Sequence, residues 1–365
     1  MSNQLFSTLK IGNSVLKNRI VMAPMTRSRA QQPGDVPSAM NARYYAQRAS
    51  AGLIITEGTQ VSEQGKGYSF TPGIYSAAQI NGWKQVTDSV HEQNGLIAAQ
   101  LWHVGRMSHH MLLPNGKSPL APSAIQAKAS VYAVDEDGVG AMVPADMPKA
   151  MSSDDIKQVQ QEFVNAAINA FSANFDFIEI HAANGYLFDQ FLAAGVNHRD
   201  DQYGGSVENR ARFLLETVDA VIKNVGAERV GVRISPWCNI NGMDNEPRQD
   251  ITLYVAHELQ KRNIAYLHVA EWEWAGGQPY PAGFRQQLRE AFHNKLIYCG
   301  GYSAQSAELL LQQRLADAVA FGQPFIANPD FVARAWNNQP MSPAKKEFFY
   351  GGNDVGYTDY PVYNE

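Results

Sequence analysis

From Arg19 onward the chain alternates short apolar runs with helix-length amphipathic stretches, and the pattern repeats eight times. The apolar runs fall at 20–23, 53–56, 96–101, 177–180, 230–235, 266–269, 296–299 and 318–321. The helical stretches fall at 38–50, 79–93, 153–173, 206–223, 249–262, 282–293, 303–313 and 328–337. Strands buried on both faces read as unbroken apolar runs, and parallel neighbours need a crossover that each helical stretch can supply. Eight such units in strict order predict an α/β protein built as a closed parallel (β/α)8 (TIM) barrel. The third helical stretch shows the local logic: Ser152 with Asp155 makes a capping box, and Ile156, Val159, Phe163, Ala167 and Ala170 recur at helical spacing.

No linker interrupts the series, so residues 1–365 are expected to form one domain. Before the barrel, Leu5, Leu9 and Ile11 precede Gly12-Asn13, with Val15 and Leu16 after it, which predicts a short β-hairpin over 4–18 that plugs one end. The longest irregular stretch, 103–151, follows the third strand and carries Pro114, Pro119, Pro122, Pro144 and Pro148. A loop of that length in a compact domain is expected to be a lid or capping region. The tail 351–365, rich in Gly, Tyr and Asp, is expected on the surface with its aromatics packing back over a pocket.

Charge narrows the partner. With 30 basic and 35 acidic residues the formal net charge is -5, and no Lys/Arg cluster occurs, which argues against nucleic acid or an anionic membrane. No apolar run reaches the length of a membrane span, so a small molecule is the expected partner and the chain is expected to work as a monomer or homodimer. Only Cys238 and Cys299 occur, which fits a reducing compartment, and the start MSNQLFSTLKIG lacks a signal-peptide core; the expectation is a cytoplasmic protein.

In a barrel the carboxyl ends of the strands converge on one face, so their polar residues nominate the site. The tips carry Pro24, Met25, Thr26 and Arg27; Glu57, Gly58 and Thr59; Gln100, Trp102 and His103; and His181, Asn184 and Tyr186. Further round come Arg233 and Ser235, then Glu271 to Trp274, then Gly300-Gly301, then Gly322-Gln323. The last two pairs precede helices and leave bare backbone N–H groups for a phosphate. Amide, guanidinium, hydroxyl and indole groups dominate, which suits a flat, polar-edged, phosphate-bearing cofactor better than a metal cage. His109-His110 has no carboxylate spaced to complete a metal site, so no metal is expected.

APMTR at 23–27, ITEGTQ at 55–60, QLWHVGR at 100–106, EIHAANGYLFDQFL at 179–192, DQYGGSVENRARF at 201–213, RISP at 233–236, FIANPDFVAR at 325–334 and YTDYP at 357–361 together resemble the old yellow enzyme family. The resemblance runs through the whole chain in order. It implies a non-covalently FMN-bound ene-reductase that takes hydride from NAD(P)H and passes it to the β-carbon of an α,β-unsaturated carbonyl or nitro compound. By that resemblance Pro24, Met25 and Thr26 would line the flavin, Gly58 would admit its ring, Gln100 would bond its pyrimidine edge, and Arg233 would sit beside N1 and O2. His181 and Asn184 would donate to the substrate oxygen, or to a phenolic ligand, and Tyr186 would protonate the α-carbon. Tyr68, Trp102, Trp274 and Tyr357, with Thr26, would complete the substrate pocket.

Two positions depart from the family pattern: Gln323 stands where an arginine usually pairs with the flavin phosphate, and Phe70 where a tryptophan is common. A lone strand-end histidine is as readily a satisfied hydrogen-bonding residue; the resemblance, with Asn184 and Tyr186 at the family's spacing, is what implies a function for His181. Two other readings stay open from the residues alone. One is a flavin-binding redox or stress-response protein with incidental turnover, and the other is a metal-dependent barrel lyase or hydrolase.

Overall fold

In the computed structural model, which describes residues 3–244 and 248–363, eight parallel strands form a closed ring. They are β1 (Ile20–Met22), β2 (Leu53–Ile55), β3 (Ile97–Trp102), β4 (Phe177–Ala182), β5 (Val230–Ile234), β6 (Tyr266–Ala270), β7 (Lys295–Cys299) and β8 (Ala318–Phe321). The ring closes through β8 and β1, where Val319 pairs with Ile20, and through β3 and β4, where Ile180 pairs with Leu101. Neighbouring strands are joined by α1 (Ala39–Ala46), α2 (Ala77–Glu92), α3 (Ser153–Ser172), α4 (Val207–Val225), α5 (Gln249–Lys261), α6 (Phe284–Ala291) and α7 (Ala304–Gln312), and α8 (Phe331–Trp336) follows β8.

Alternate residues of each strand serve two different cores. Val21, Leu53, Ile55, Ala98, Phe177, Tyr266, Ile297, Ala318 and Ala320 pack together inside the ring, while Ile20, Ile54, Ile97, Ile180, Val232, Leu267 and Val319 pack outward under the helices. The inner cluster also takes Leu9, Ile11 and Leu16 from the amino-terminal hairpin, whose strands Leu9–Ile11 and Ser14–Leu16 pair antiparallel. The hairpin therefore seals the end of the barrel opposite the strand tips, as its sequence predicts. In α3 the Ser152 hydroxyl accepts the Asp155 N–H at 3.1 Å and Asp155 accepts the Ser152 N–H at 2.8 Å, a box contributing about 1 kcal/mol.

The stretch after β3 is more ordered than its prolines suggest. It holds an antiparallel hairpin, Ser130–Val134 with Gly140–Pro144, and a short parallel pair, Leu120–Ala121 with Lys149–Ala150, that brings its two ends together. Asp135 turns the hairpin, accepting the N–H groups of Asp137 and Val139 at 3.1 and 2.7 Å. Its underside packs Val131, Ala127 and Ala145 on Trp102, Val104 and Met107, so it caps the third strand tip. Two short helices fall outside the eight-unit pattern, Leu187–Leu192 directly after β4 and Gln323–Ala327 directly after β8. Among the described residues no helix is long and apolar enough to cross a membrane.

Candidate active site

The tip of β4 is held by a network that leaves particular atoms free. After Ala182 the backbone turns through Asn184 at φ 58° and Gly185 at φ 75° and enters the helix Leu187–Leu192. Asn184 N–H donates to the Ser235 hydroxyl at 2.6 Å, and Asn241 Nδ2 donates to the Asn184 carbonyl at 2.8 Å. Gly185 N–H donates to Asp189 Oδ2 at 2.8 Å, and Asp189 Oδ1 pairs with Arg248 at 2.7 Å, both side chains 4% exposed. The Asn184 side-chain oxygen accepts the Trp272 indole N–H at 3.0 Å. Among the described residues its Nδ2 bonds to no protein atom, so the amide offers hydrogen-bond donors.

His181 also offers a donor. Burial, then Arg233 and His268, hold its pKa well below the ordinary histidine value, so the ring is neutral at physiological pH. Its Nδ1 accepts the Ala183 N–H at 3.3 Å, which puts the ring proton on Nε2. Tyr186 stands edge-on to His181 at 5.1 Å and to Trp102 at 4.9 Å, and its hydroxyl lies 3.4 Å from that of Tyr68. Burial and Tyr68 push the Tyr186 phenol well above its ordinary pKa, so it keeps its proton. Tyr68 stacks on Trp102 at 5.8 Å, completing one aromatic wall.

Beside this wall lies a cavity of about 260 Å³ lined by Pro24, Met25, Thr26, Asn184, Arg233, Trp272, Trp274, Gly322, Gln323 and Tyr350, among others. Arg233, 7% exposed, makes no ion pair among the described residues; it reaches only Cys299 Sγ at 3.8 Å, and its Nε has no partner. A buried guanidinium left in this state is poised for a ligand with acceptor atoms. Behind it, fully buried Glu179 accepts from Gln100 Nε2 at 2.7 Å and bonds His268 Nδ1 at 2.8 Å. Burial alone would raise Glu179, but His268, Arg233 and Gln100 outweigh it and hold the carboxyl below its ordinary value. With its nitrogen on Glu179, Gln100 has its side-chain oxygen left as an acceptor for an N–H group. Together, unpartnered donors at Arg233, His181 and Asn184 and one acceptor at Gln100 suit a planar ring bearing carbonyls and an imide.

Several expected roles look different in place. Tyr357 does not line the cavity: it is 0% exposed, stacks on Tyr44 at 4.0 Å and bonds Asn41 Nδ2 at 3.1 Å, so it ties the tail to α1. Phe349 and Tyr350, just before the tail, reach the cavity wall in its stead. Gly58 owes its lack of a side chain to the protein itself, since a Cβ there would stand 2.5 Å from the Trp102 ring. Trp274, 54% exposed, lies over Gly301, where a Cβ would meet it at 2.8 Å. Near Gly300 stands a carboxylate, Glu271, bonded to Arg285 at 2.7 Å and to the Tyr302 hydroxyl at 2.5 Å. A Cβ on Gly322 would make ordinary contacts with Met25 and Ala23 at 3.6 to 4.0 Å, and Gln323 is exposed at the cavity edge.

His109 and His110 do meet a carboxylate, contrary to expectation, because the capping stretch folds Asp146 back onto them at 3.5 and 2.7 Å. His109 Nδ1 accepts the Met111 N–H at 3.3 Å, while His110 bonds Asp146 through both its ring Nδ1 and its backbone N–H at 2.7 Å. The ligand-type atoms of all three lie within 4.8 Å of one another in the cap. Sequence reasoning missed Trp272 as a partner of Asn184, and Glu179 with His268 as the floor beneath Arg233. The alternation of β4 and β6 puts Glu179 and His268 inside the ring, and that signal was available.

The description NADH:flavin oxidoreductase / NADH oxidase family matches residues 4–341. A probable flavin mononucleotide-dependent alkene reductase of Leishmania infantum is 39% identical over 358 residues, covering 98% of this chain and 97% of that protein. The solved structure of morphinone reductase in complex with tetrahydroNAD superposes with a TM-score of 0.95 at 48% identity, covering 99% of this chain and 98% of that one. An old yellow enzyme homologue from Zymomonas mobilis superposes with a TM-score of 0.93 at 40% identity, covering 99% and 100%.

Proposed function

We propose, for a chain that belongs to the NADH:flavin oxidoreductase / NADH oxidase family, a division of labour around the fourth strand tip. The protein is an FMN-dependent ene-reductase that uses NAD(P)H. FMN, when bound, supplies the hydride chemistry. Pro24, Met25, Thr26, Gln100, Arg233, Gly322 and Gln323 are the residues that would hold it, and the buried Arg233 guanidinium, which makes no ion pair among the described residues, is the observation in favour. His181 and Asn184 bind the oxygen of an α,β-unsaturated carbonyl or nitro compound, or of a phenol, and draw negative charge toward it. Tyr186 gives its proton to the substrate's α-carbon.

The observation that carries this reading is the pair of free donors, neutral His181 Nε2–H and Asn184 Nδ2, next to a phenol that stays protonated. Two acceptor-seeking groups, one at the end of β4 and one on the turn after it, select a ligand by its oxygen. The test is turnover: purified FMN-bound protein is expected to oxidise NAD(P)H in step with saturation of cyclohexenone or a nitroalkene under anaerobic conditions. Oxidation of NAD(P)H with the alkene left intact would favour the redox-protein alternative. The two free cysteines support a cytoplasmic setting for the enzyme.

Gln323 can bond a phosphate but cannot neutralise it. Gln323→Arg is therefore expected to tighten FMN binding by about tenfold, the equivalent of one charge-assisted hydrogen bond. An unchanged dissociation constant, measured by flavin fluorescence, would mean that the backbone N–H groups already suffice.

A further inference from the structure

The Asn184 side chain can face the cavity in two ways, and they are chemically opposite. With its NH2 group forward it donates to an oxygen; turned by half a rotation it presents a carbonyl that repels one. The groups that fix its turn do not decide between them, because Ser235 and Asn241 hold only the backbone of Asn184. The side chain has one protein partner among the described residues, the Trp272 indole, whose N–H lies 3.0 Å from Oδ1. An indole N–H can only donate, so it accepts one orientation and rejects the other.

Trp272 is itself firmly placed. Its carbonyl accepts the N–H groups of both Ala275 and Gly277, at 3.0 and 2.8 Å, which closes a tight turn just beyond β6. Its ring stacks on Trp274 at 5.9 Å and 20°, and both indoles line the cavity. We infer that Trp272 is a positioning residue that locks Asn184 as a hydrogen-bond donor, and so sets the preference of the site for ligands that present an oxygen acceptor. This rests on the proposed binding of a ligand oxygen by Asn184.

A double-mutant cycle on the holoenzyme tests both layers separately, with 4-hydroxybenzaldehyde as the probe and its dissociation constant read from the flavin absorbance change. Trp272→Phe keeps an aromatic ring and removes only the N–H, and is expected to weaken binding about 5- to 10-fold. In an Asn184→Ala background the same substitution is expected to change nothing. Trp272→Leu, made alongside, is expected to match Trp272→Phe, since the lost element is the N–H and not the ring. Unchanged binding in both variants, or an equal loss with and without Asn184, would overturn the inference. If instead Asn184→Ala alone binds the phenol as tightly as the wild type, the role of Asn184 itself is wrong and the inference falls with it.

Discussion

Replacing Arg248 by Met is expected to destabilise the protein by about 3–5 kcal/mol, the range for breaking a buried ion pair by removing one partner. For a chain of 365 residues that corresponds to a fall in Tm of roughly 4–7 °C. Asp189 and Arg248 are both 4% exposed and 2.7 Å apart, and the guanidinium also bonds the Cys238 carbonyl. With Arg248 gone, a carboxylate stays buried with, among the described residues, the Gly185 N–H at 2.8 Å and the Ser235 hydroxyl at 3.4 Å as its donors. Those two groups hold Asn184 and Gly185 in their left-handed turn, so the loss is expected to loosen the active-site tip as well as lower Tm. Arg43 with Asp354 is the control: at 59% and 52% exposed, water already screens that pair, and Arg43→Met is expected to leave Tm within error. Calorimetry of the two variants in parallel checks the contrast, and equal Tm values would remove the buried pair from the account.

The barrel was legible because its strands are local objects. Eight apolar runs, each four to six residues long, are each followed by a helical stretch, and a closed ring follows from their number and order. The tip residues were legible for the same reason, since a strand that ends also says where its last side chains go. What the sequence hid depends on contacts between distant segments. Tyr357 reads as one more aromatic near a pocket until Tyr44 and Asn41, more than 300 residues earlier, are seen to enclose it. The capping hairpin over 130–144 carries an Asp-Gly turn at 137–138, but the prolines around it masked that signal. Asp146 shows no helical or strand spacing to His109 and His110, and only the folded cap brings it there. Trp272 and Asn184 are 88 residues apart, and their hydrogen bond crosses from β6 to β4 over the top of the barrel.

Tyr186→Phe is expected to slow alkene reduction by about 100-fold or more, the usual range for losing a positioned general acid. The phenol has a clear reason to act as an acid and not as a base. Burial and the Tyr68 hydroxyl raise its pKa well above the ordinary value, so the protonated form is the one present. An acid works below its pKa, so the raised value extends the active range toward alkaline pH, and no loss of acid function is expected between pH 6 and about 9. The substitution is mild in every other respect. Phenylalanine keeps the edge contacts to Trp102 at 4.9 Å and His181 at 5.1 Å, and gives up the 3.4 Å hydroxyl contact to Tyr68 and the polar contact to the Asn241 side chain.

Stopped-flow measurement of the two half-reactions of Tyr186→Phe separates proton delivery from everything else the site does. Reduction by NAD(P)H needs no proton from this phenol and is expected to stay within about twofold of the wild type, while reoxidation by cyclohexenone falls by about two orders of magnitude. Equal slowing of both half-reactions, or an unchanged rate with the alkene, would contradict the assignment of Tyr186 as the proton donor.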